Sequence, residues 1–205
     1  MNTGTVPKAT LGRLPVYLKY LKSVQSEHKT ISATVIAHAL ALGDVQVRKD
    51  LAAVSGTGRP KIGYDTKVLI EQLENCLGRK NRSQAIIVGA GKLGLALLDF
   101  DGFADYGIEI AAAFDTKTDT VVTSESGNPI FPIDALEGFC RRNKIRIGII
   151  AVPVESAQSV CDRMIKSSIA AIMNFAPVEL SVPQGVCLVH ENLALSLAHL
   201  NSQIN

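Results

Sequence analysis

The stretch Ile86-Ile87-Val88-Gly89-Ala90-Gly91-Lys92-Leu93-Gly94 decides the fold. An aliphatic run runs directly into three glycines at GxGxxG spacing, which is the order strand, tight turn, helix. Gly89 permits the turn, Gly91 lets backbone approach a pyrophosphate, and Gly94 permits close helix–strand packing. The helix opening behind the turn offers free N–H groups and a positive dipole end to phosphate. Ala90, Lys92 and Leu93 complete this candidate loop. A second aliphatic run ends at Asp115, 21 residues after Gly94. A carboxylate there can accept hydrogen bonds from an adenosine ribose and repels a 2′-phosphate, so NAD(H) is expected over NADP(H).

Working outward, short aliphatic runs at Ala85–Val88, Ile108–Phe114, Ile145–Val152, Ala170–Phe175 and Val186–Val189 alternate with helical patterns. The helices are expected at about Leu93–Phe100, Asp134–Asn143 and Ser156–Lys166. This alternation predicts an α/β domain, a Rossmann-like doubly wound parallel sheet with helices on both faces, over residues 85–190. A last amphipathic helix, about Asn192–Leu200 within residues 191–205, has no strand after it and is free to pack on another subunit.

The first part of the chain has a different rhythm. Leu14, Tyr17, Leu18 and Leu21 recur at helical spacing, with Pro15 expected in the first turn. Ser32 is expected to cap a second helix, Ala33–Leu42, closed by Gly43. Asp44 is expected to cap a third, Val45–Val54, with Val47 and Leu51 inward and Gln46, Arg48 and Lys49 outward. Helix, short glycine-containing turn, helix is the helix-turn-helix order. The glycine-rich stretch Ser55–Tyr64 predicts a loop or hairpin carrying Arg59 and Lys61 at its tip, like the wing of a winged-helix domain. A fourth helix, Thr66–Leu77, completes a domain of residues 1–78, and residues 79–84 form a polar linker.

Charge separates the same two parts. The net charge is only +2, yet residues 1–82 hold thirteen Lys/Arg against six Asp/Glu, a balance of +7. Residues 83–205 hold eight against thirteen, a balance of −5. A basic module joined to an acidic one predicts that the first meets a polyanion. Arg48 and Lys49 could contact phosphates or guanine edges and Gln46 could read adenine, if the helix enters a major groove.

Other chemistries are disfavoured. Cys76, Cys140, Cys161 and Cys187 lie far apart without ligand spacing, so neither a disulfide framework nor a metal site is expected. No apolar run reaches the roughly 18–20 residues of a membrane span, and Met1–Lys8 has no secretion-signal pattern. A cytoplasmic location is expected. A dehydrogenase needs an acid or base beside the nicotinamide. His28 and His38 fall in the basic part, while His190 and His199 near the C-terminus have no recognisable partner, so no catalytic residue is assigned. Two rival readings remain: a small NAD-dependent oxidoreductase with an N-terminal dimerisation module, and a helix-turn-helix adaptor with an empty Rossmann fold.

The chain resembles the Rex family of redox-sensing repressors. The resemblance rests on Arg13-Leu14-Pro15 with Tyr17, Val47-Arg48-Lys49-Asp50-Leu51, Gly63-Tyr64-Asp65, Val88-Gly89-Ala90-Gly91, Leu93-Gly94 and Phe114-Asp115. It continues through Val152-Pro153, Ala157-Gln158 and Asn174-Phe175-Ala176-Pro177. The resemblance implies a winged-helix domain on a Rossmann domain and a homodimer with a swapped C-terminal helix. It implies binding to a palindromic operator in double-stranded DNA when NADH is low and release when NADH binds. It implies DNA contacts from Arg48, Lys49, Arg59 and Lys61, and adds Val152 and Pro153 to the dinucleotide site. Three positions depart from the family pattern: Lys92 for Asn, Phe100 for Tyr, and Asn192 for Asp. In the family that Asp exchanges partners between the Tyr and an N-terminal Arg, here Arg13, so Arg13, Phe100 and Asn192 mark the expected switch at the dimer interface.

Overall fold

The computed structural model describes residues 6–78 and 83–204. The chain divides into two compact units, Met1–Arg82 with Ala104–Gly107, and Ser83–Phe103 with Ile108–Asn205. Of the expected linker, residues 79–82 lie outside the described residues.

The first unit is helical. Its elements are α1 (Lys8–Val24), β1 (Thr30–Ile31), α2 (Ala33–Ala39), α3 (Asp44–Ser55), β2 (Tyr64–Asp65) and α4 (Thr66–Cys76). The apolar stripes of the four helices close on one core, in which Leu14, Tyr17, Leu18, Leu21, Ile36, Val47, Leu51, Leu69 and Leu73 are buried. β1 and β2 pair antiparallel, Ile31 opposite Tyr64. Ser32 Oγ accepts from Val35 N and caps α2.

Two local expectations fail. Pro15 stands inside α1, not in its first turn, because the helix starts back at Lys8. A proline costs a helix its N–H bond and crowds the preceding turn; here the buried contacts of Leu14, Tyr17, Leu18 and Leu21 carry the helix through it. Asp44 is the first helical residue of α3 and not its cap, which is Gly43. Its carboxylate bonds Arg48 Nη2 at 2.7 Å one turn on, a pairing that also suits the helix dipole.

The inner face of α3 is fixed by a polar contact. Asp50, 3% exposed, accepts from Thr10 Oγ (2.8 Å), Arg13 Nε (2.7 Å), Arg13 Nη2 (2.8 Å) and Tyr17 Oη (2.7 Å). Burial by itself raises a carboxyl pKa, but the bonds from Arg13, Tyr17 and Thr10 outweigh it and hold Asp50 below the usual range. The Tyr17 phenol is pushed up to about 12, first by burial and then by the adjacent carboxylate.

The second unit is a seven-stranded sheet in the order β5-β6-β4-β3-β7-β8-β9. The strands are β3 (Ser83–Val88), β4 (Ile108–Asp115), β5 (Val122–Thr123), β6 (Pro129–Pro132), β7 (Ile147–Ile150), β8 (Ala171–Asn174) and β9 (Cys187–His190). All pairings are parallel except β5 with β6. The helices are α5 (Lys92–Leu98), α6 (Leu136–Asn143), α7 (Val154–Lys166) and α8 (Leu193–Ser202). Side chains alternate across the sheet: Ile86, Val88, Ala112 and Phe114 enter one core with α6 and α7, while Ile87, Ala113 and Ile149 enter the other with Leu98. The β5–β6 hairpin is absent from the sequence-based expectation. Its turn bonds Ser124 N to Asn128 O at 2.8 Å, with Gly127 at φ 84°. The expected helix from Asp134 begins as a 3-10 turn, Ile133–Ala135, before α6.

Replacing Asp50 with Ala takes the acceptor from the buried Thr10 and Tyr17 hydroxyls, so the first unit should lose about 1–3 kcal/mol of stability, the usual cost of a stranded buried polar group. Urea unfolding followed on that unit measures the loss. A depressed carboxyl pKa contributes stability above its unfolded value and loses it on acidification. Below about pH 4 the wild type should therefore weaken more steeply than Asp50→Asn.

Candidate dinucleotide cleft and nucleic-acid surface

β3 is the first strand of its sheet, with β4 on one side and β7 on the other. The chain crosses from β3 to β4 on one side and returns from β6 to β7 on the other, so the strand order reverses at β3 and a crevice opens at the carboxyl ends of β3 and β7. Backbone bonds set its floor: Gly89 N donates to Phe114 O and Ala151 N to Val88 O, both at 2.8 Å. The crevice holds a cleft of about 430 Å³ lined by Gly89, Gly91, Lys92, Leu93, Asp115, Lys117, Val152 and Pro153, among others. Its charged lining residues are Lys92, Asp115 and Lys117, a net positive surface.

The three glycines differ in kind. Gly89 has φ 105°, and a methyl there would strike the carbonyl of Ala151. A methyl on Gly94 would run into the carbonyl of Gly89. Both are demanded by the protein's own packing. A methyl on Gly91 meets nothing within 4 Å; it would stand in the open cleft at the N-cap of α5. Gly91 thus leaves space that the protein does not fill, which fits a bound phosphate group.

Asp115 Oδ2 accepts from Ala90 N at 2.6 Å and Oδ1 from Lys117 N at 2.8 Å. The carboxylate is thus already a clasp on the glycine turn, a structural bond the sequence does not announce. Each oxygen keeps a second lone pair for a ribose hydroxyl. Thr116 and Lys117 line the cleft as well, beyond the residues that the sequence pattern marks; their signal is position, directly after the carboxylate that ends the strand. Among the described residues no group of His, Cys, Asp and Glu could hold a metal ion, and no helix is long and apolar enough to cross a membrane.

Leu93 also lines a second cavity of about 430 Å³, with Phe175, Pro177, Glu179, His190 and Asn192. Asn174 organises its wall. Its Oδ1 accepts from Ala176 N and its Nδ2 faces Ala176 O, Val178 O and His190 Nδ1. The expected switch residues have local partners. Asn192 Oδ1 accepts from Leu195 N and caps α8. Phe100 is 57% exposed and meets Phe103 edge to face at 5.3 Å. Arg13 is held by Asp50.

In the first unit, Gln46, Arg48 and Lys49 lie exposed on the outer face of α3. Arg59 and Gly63 exchange backbone bonds at 2.9 Å in each direction, so the glycine-rich stretch closes as a tight hairpin. Arg59, in that closing pair, and the positive-φ residue Lys61, at the tip, are both exposed.

The family described as "CoA binding domain" matches residues 80–178, and the one described as "Putative DNA-binding protein N-terminus" matches residues 5–52. The chain is 39% identical over 194 residues to a redox-sensing transcriptional repressor Rex of Porphyromonas gingivalis, covering 94% of this chain and 89% of that one. It is 38% identical to the Rex of Desulfitobacterium hafniense over 205 residues, covering 100% of this chain and 98% of that one. The chain belongs to the Rex family. A solved Rex-family repressor, RSP, captured with β-NAD+ and operator DNA, superposes with a TM-score of 0.81 at 32% identity, covering 98% of this chain and 94% of that one. RSP in complex with β-NADH gives 0.73 at 31% identity, covering 98% and 95%.

The glycines yield a test that separates packing from ligand. Gly89→Ala and Gly94→Ala should lower the melting temperature markedly, by the overpacking cost of about 1–3 kcal/mol or more. Gly91→Ala should melt like the wild type and yet lose dinucleotide affinity at least tenfold. Calorimetric melting and NADH titration of the three variants read both quantities.

Proposed function

We propose that this Rex-family chain is a cytoplasmic, non-catalytic repressor that binds a palindromic operator at low NADH and leaves it when NADH occupies the cleft. The observation that carries this reading is Gly91: a backbone turn at a helix N-terminus with unfilled space before it, in a chain whose relatives are redox-sensing repressors. The RSP complexes with NAD+, NADH and operator DNA support both ligands. In this reading Gly89–Gly94 with Val152 and Pro153 cradle the pyrophosphate, and Asp115 takes the adenosine ribose. The cavity beyond Leu93 takes the nicotinamide end. Residues 1–78 bind DNA, with α3 in the major groove and the Arg59–Lys61 hairpin as wing. Residues 85–190 bind dinucleotide.

The homodimer is proposed through residues 191–205. Leu193, Leu195, Leu197 and Leu200 of α8 are each more than half exposed within the single chain. Such an apolar helix is covered by a second copy, in the swapped manner of the family.

DNA affinity should fall steeply with salt as phosphate contacts release counterions. Arg48→Ala with Lys49→Ala should abolish operator binding while the dimer persists in sedimentation. Unchanged operator affinity in the folded double variant defeats the assignment.

The switch is proposed to be weakened. NADH can release DNA only by binding one arrangement of the dimer better than the other. Asn192 lacks the charge and Phe100 the hydroxyl through which the family makes part of that difference. Asn192→Asp with Phe100→Tyr should therefore raise the factor by which saturating NADH lowers operator affinity. Coupling of this kind is typically about 1–3 kcal/mol. An equal or smaller factor in the double variant refutes this placement of the switch.

A further inference from the structure

The ribose end of the cleft holds a cation that a plain NAD(H) site does not need. Lys117 follows Asp115 by two residues, and its own backbone N–H is bonded to Asp115 Oδ1 at 2.8 Å. That bond ties the root of the Lys117 side chain to the group that meets the adenosine ribose. Lys117 and Thr116 both line the same cleft, and Lys117 is exposed. The Lys117 ammonium has no ion-pair partner among the described residues. A lysine is a mobile point charge on a four-carbon stem, able to follow a phosphate over several positions.

Asp115 itself is less repulsive than an unclasped carboxylate. Two backbone N–H groups already bond its two oxygens, and hydrogen bonds of this kind spread and offset its charge. Thus one partly satisfied anion and one unpaired cation share the ribose end. Lys92, at the start of α5, remains for the pyrophosphate at the other side of the turn.

We propose that Lys117 makes the ribose end of this cleft a phosphate-binding subsite, so that adenosine cofactors phosphorylated on that ribose bind alongside NADH. The inference rests on the reading of the cleft as a dinucleotide site. The preference for NADH over NADPH set by Asp115 is then shallow, and Lys117 is the residue that makes it so. The ligand chemistry is a ribose phosphate, at the 2′ position in NADP(H) or the 3′ position in coenzyme A.

The test measures dissociation constants by titration calorimetry on the full chain for two matched pairs: NADPH with NADH, and coenzyme A with dephospho-coenzyme A. Lys117→Ala should worsen the phosphorylated member relative to its partner by about tenfold, the size of one charge-assisted hydrogen bond. Lys117→Arg, which keeps the charge, should retain most of the wild-type ratio. Added salt should shrink the difference. A response in the first pair identifies the 2′-phosphate as the source, and a response in the second identifies the 3′-phosphate. If neither ratio moves in folded Lys117→Ala, or if neither phosphorylated ligand binds the wild type, the proposal is overturned. NADH binding with unmoved ratios leaves the sensor reading intact and defeats this one alone. Absence of NADH binding to the wild type defeats the sensor reading and this proposal with it.

Discussion

The second unit depends on one close approach, that of α5 to the glycine turn. No side chain fits between Gly94 and the Gly89 carbonyl, and none fits between Gly89 and the Ala151 carbonyl. These two backbone contacts bring the ends of β3 and β7 and the start of α5 to one point. The Asp115 carboxylate adds a third tie by holding Ala90 N. With turn, helix and two strand ends fixed together, the free N–H groups of α5 can only face the crevice. The cleft is therefore a consequence of packing, and a ligand finds its phosphate cradle already organised.

The first unit solves a similar problem with charge. Asp50 sits on the inner face of α3, and its four donors come from α1. Apolar contacts alone would allow the two helices to slide, since dispersion is non-directional. A buried carboxylate bound by Arg13 in bidentate fashion fixes both distance and rotation. Rotation matters because Gln46, Arg48 and Lys49 are exposed on the same helix, Gln46 and Lys49 beside the hollow that Asp50 and Arg13 also line. An electrostatic contact inside the unit thus sets where the basic surface points outside it.

Much of this was legible in the sequence because it follows period and punctuation. Ile86, Ile87 and Val88 before GxGxxG specify strand, turn and helix by themselves, and the order of strands and helices specifies the parallel sheet. What escaped depended on long-range partners. Asp44 has the composition of a cap, but Gly43 takes that place and Arg48 draws the carboxylate onto the helix flank. Pro15 carries a local signal for a helix start that four buried side chains override. The β5–β6 hairpin is only two to four residues per strand, too short for a period to show. The clasp of Asp115 on Ala90 spans 25 residues, and nothing in either segment names the other.

The same distinction bears on how two ligands could influence one another in this chain. A switch needs groups whose partners differ between states, whereas the ties at Gly94 and Asp50 are close contacts within one unit's own packing. Arg13, Asn192 and Phe100 are differently placed. Arg13 has part of its guanidinium exposed while the rest is bonded to Asp50, Asn192 spends its side-chain oxygen on the α8 cap, and Phe100 rests on Phe103. For Arg13 to recruit a second carboxylate it must use its outer N–H groups or abandon Asp50. Abandoning Asp50 would release α3 and with it the orientation of the basic face. Retaining Asp50 while adding an outer partner leaves α3 in place, so any energetic difference between states must then be made elsewhere. Asn192 carries no charge, so an ion pair is not available at the start of α8, whose exposed Leu193, Leu195, Leu197 and Leu200 offer apolar surface instead.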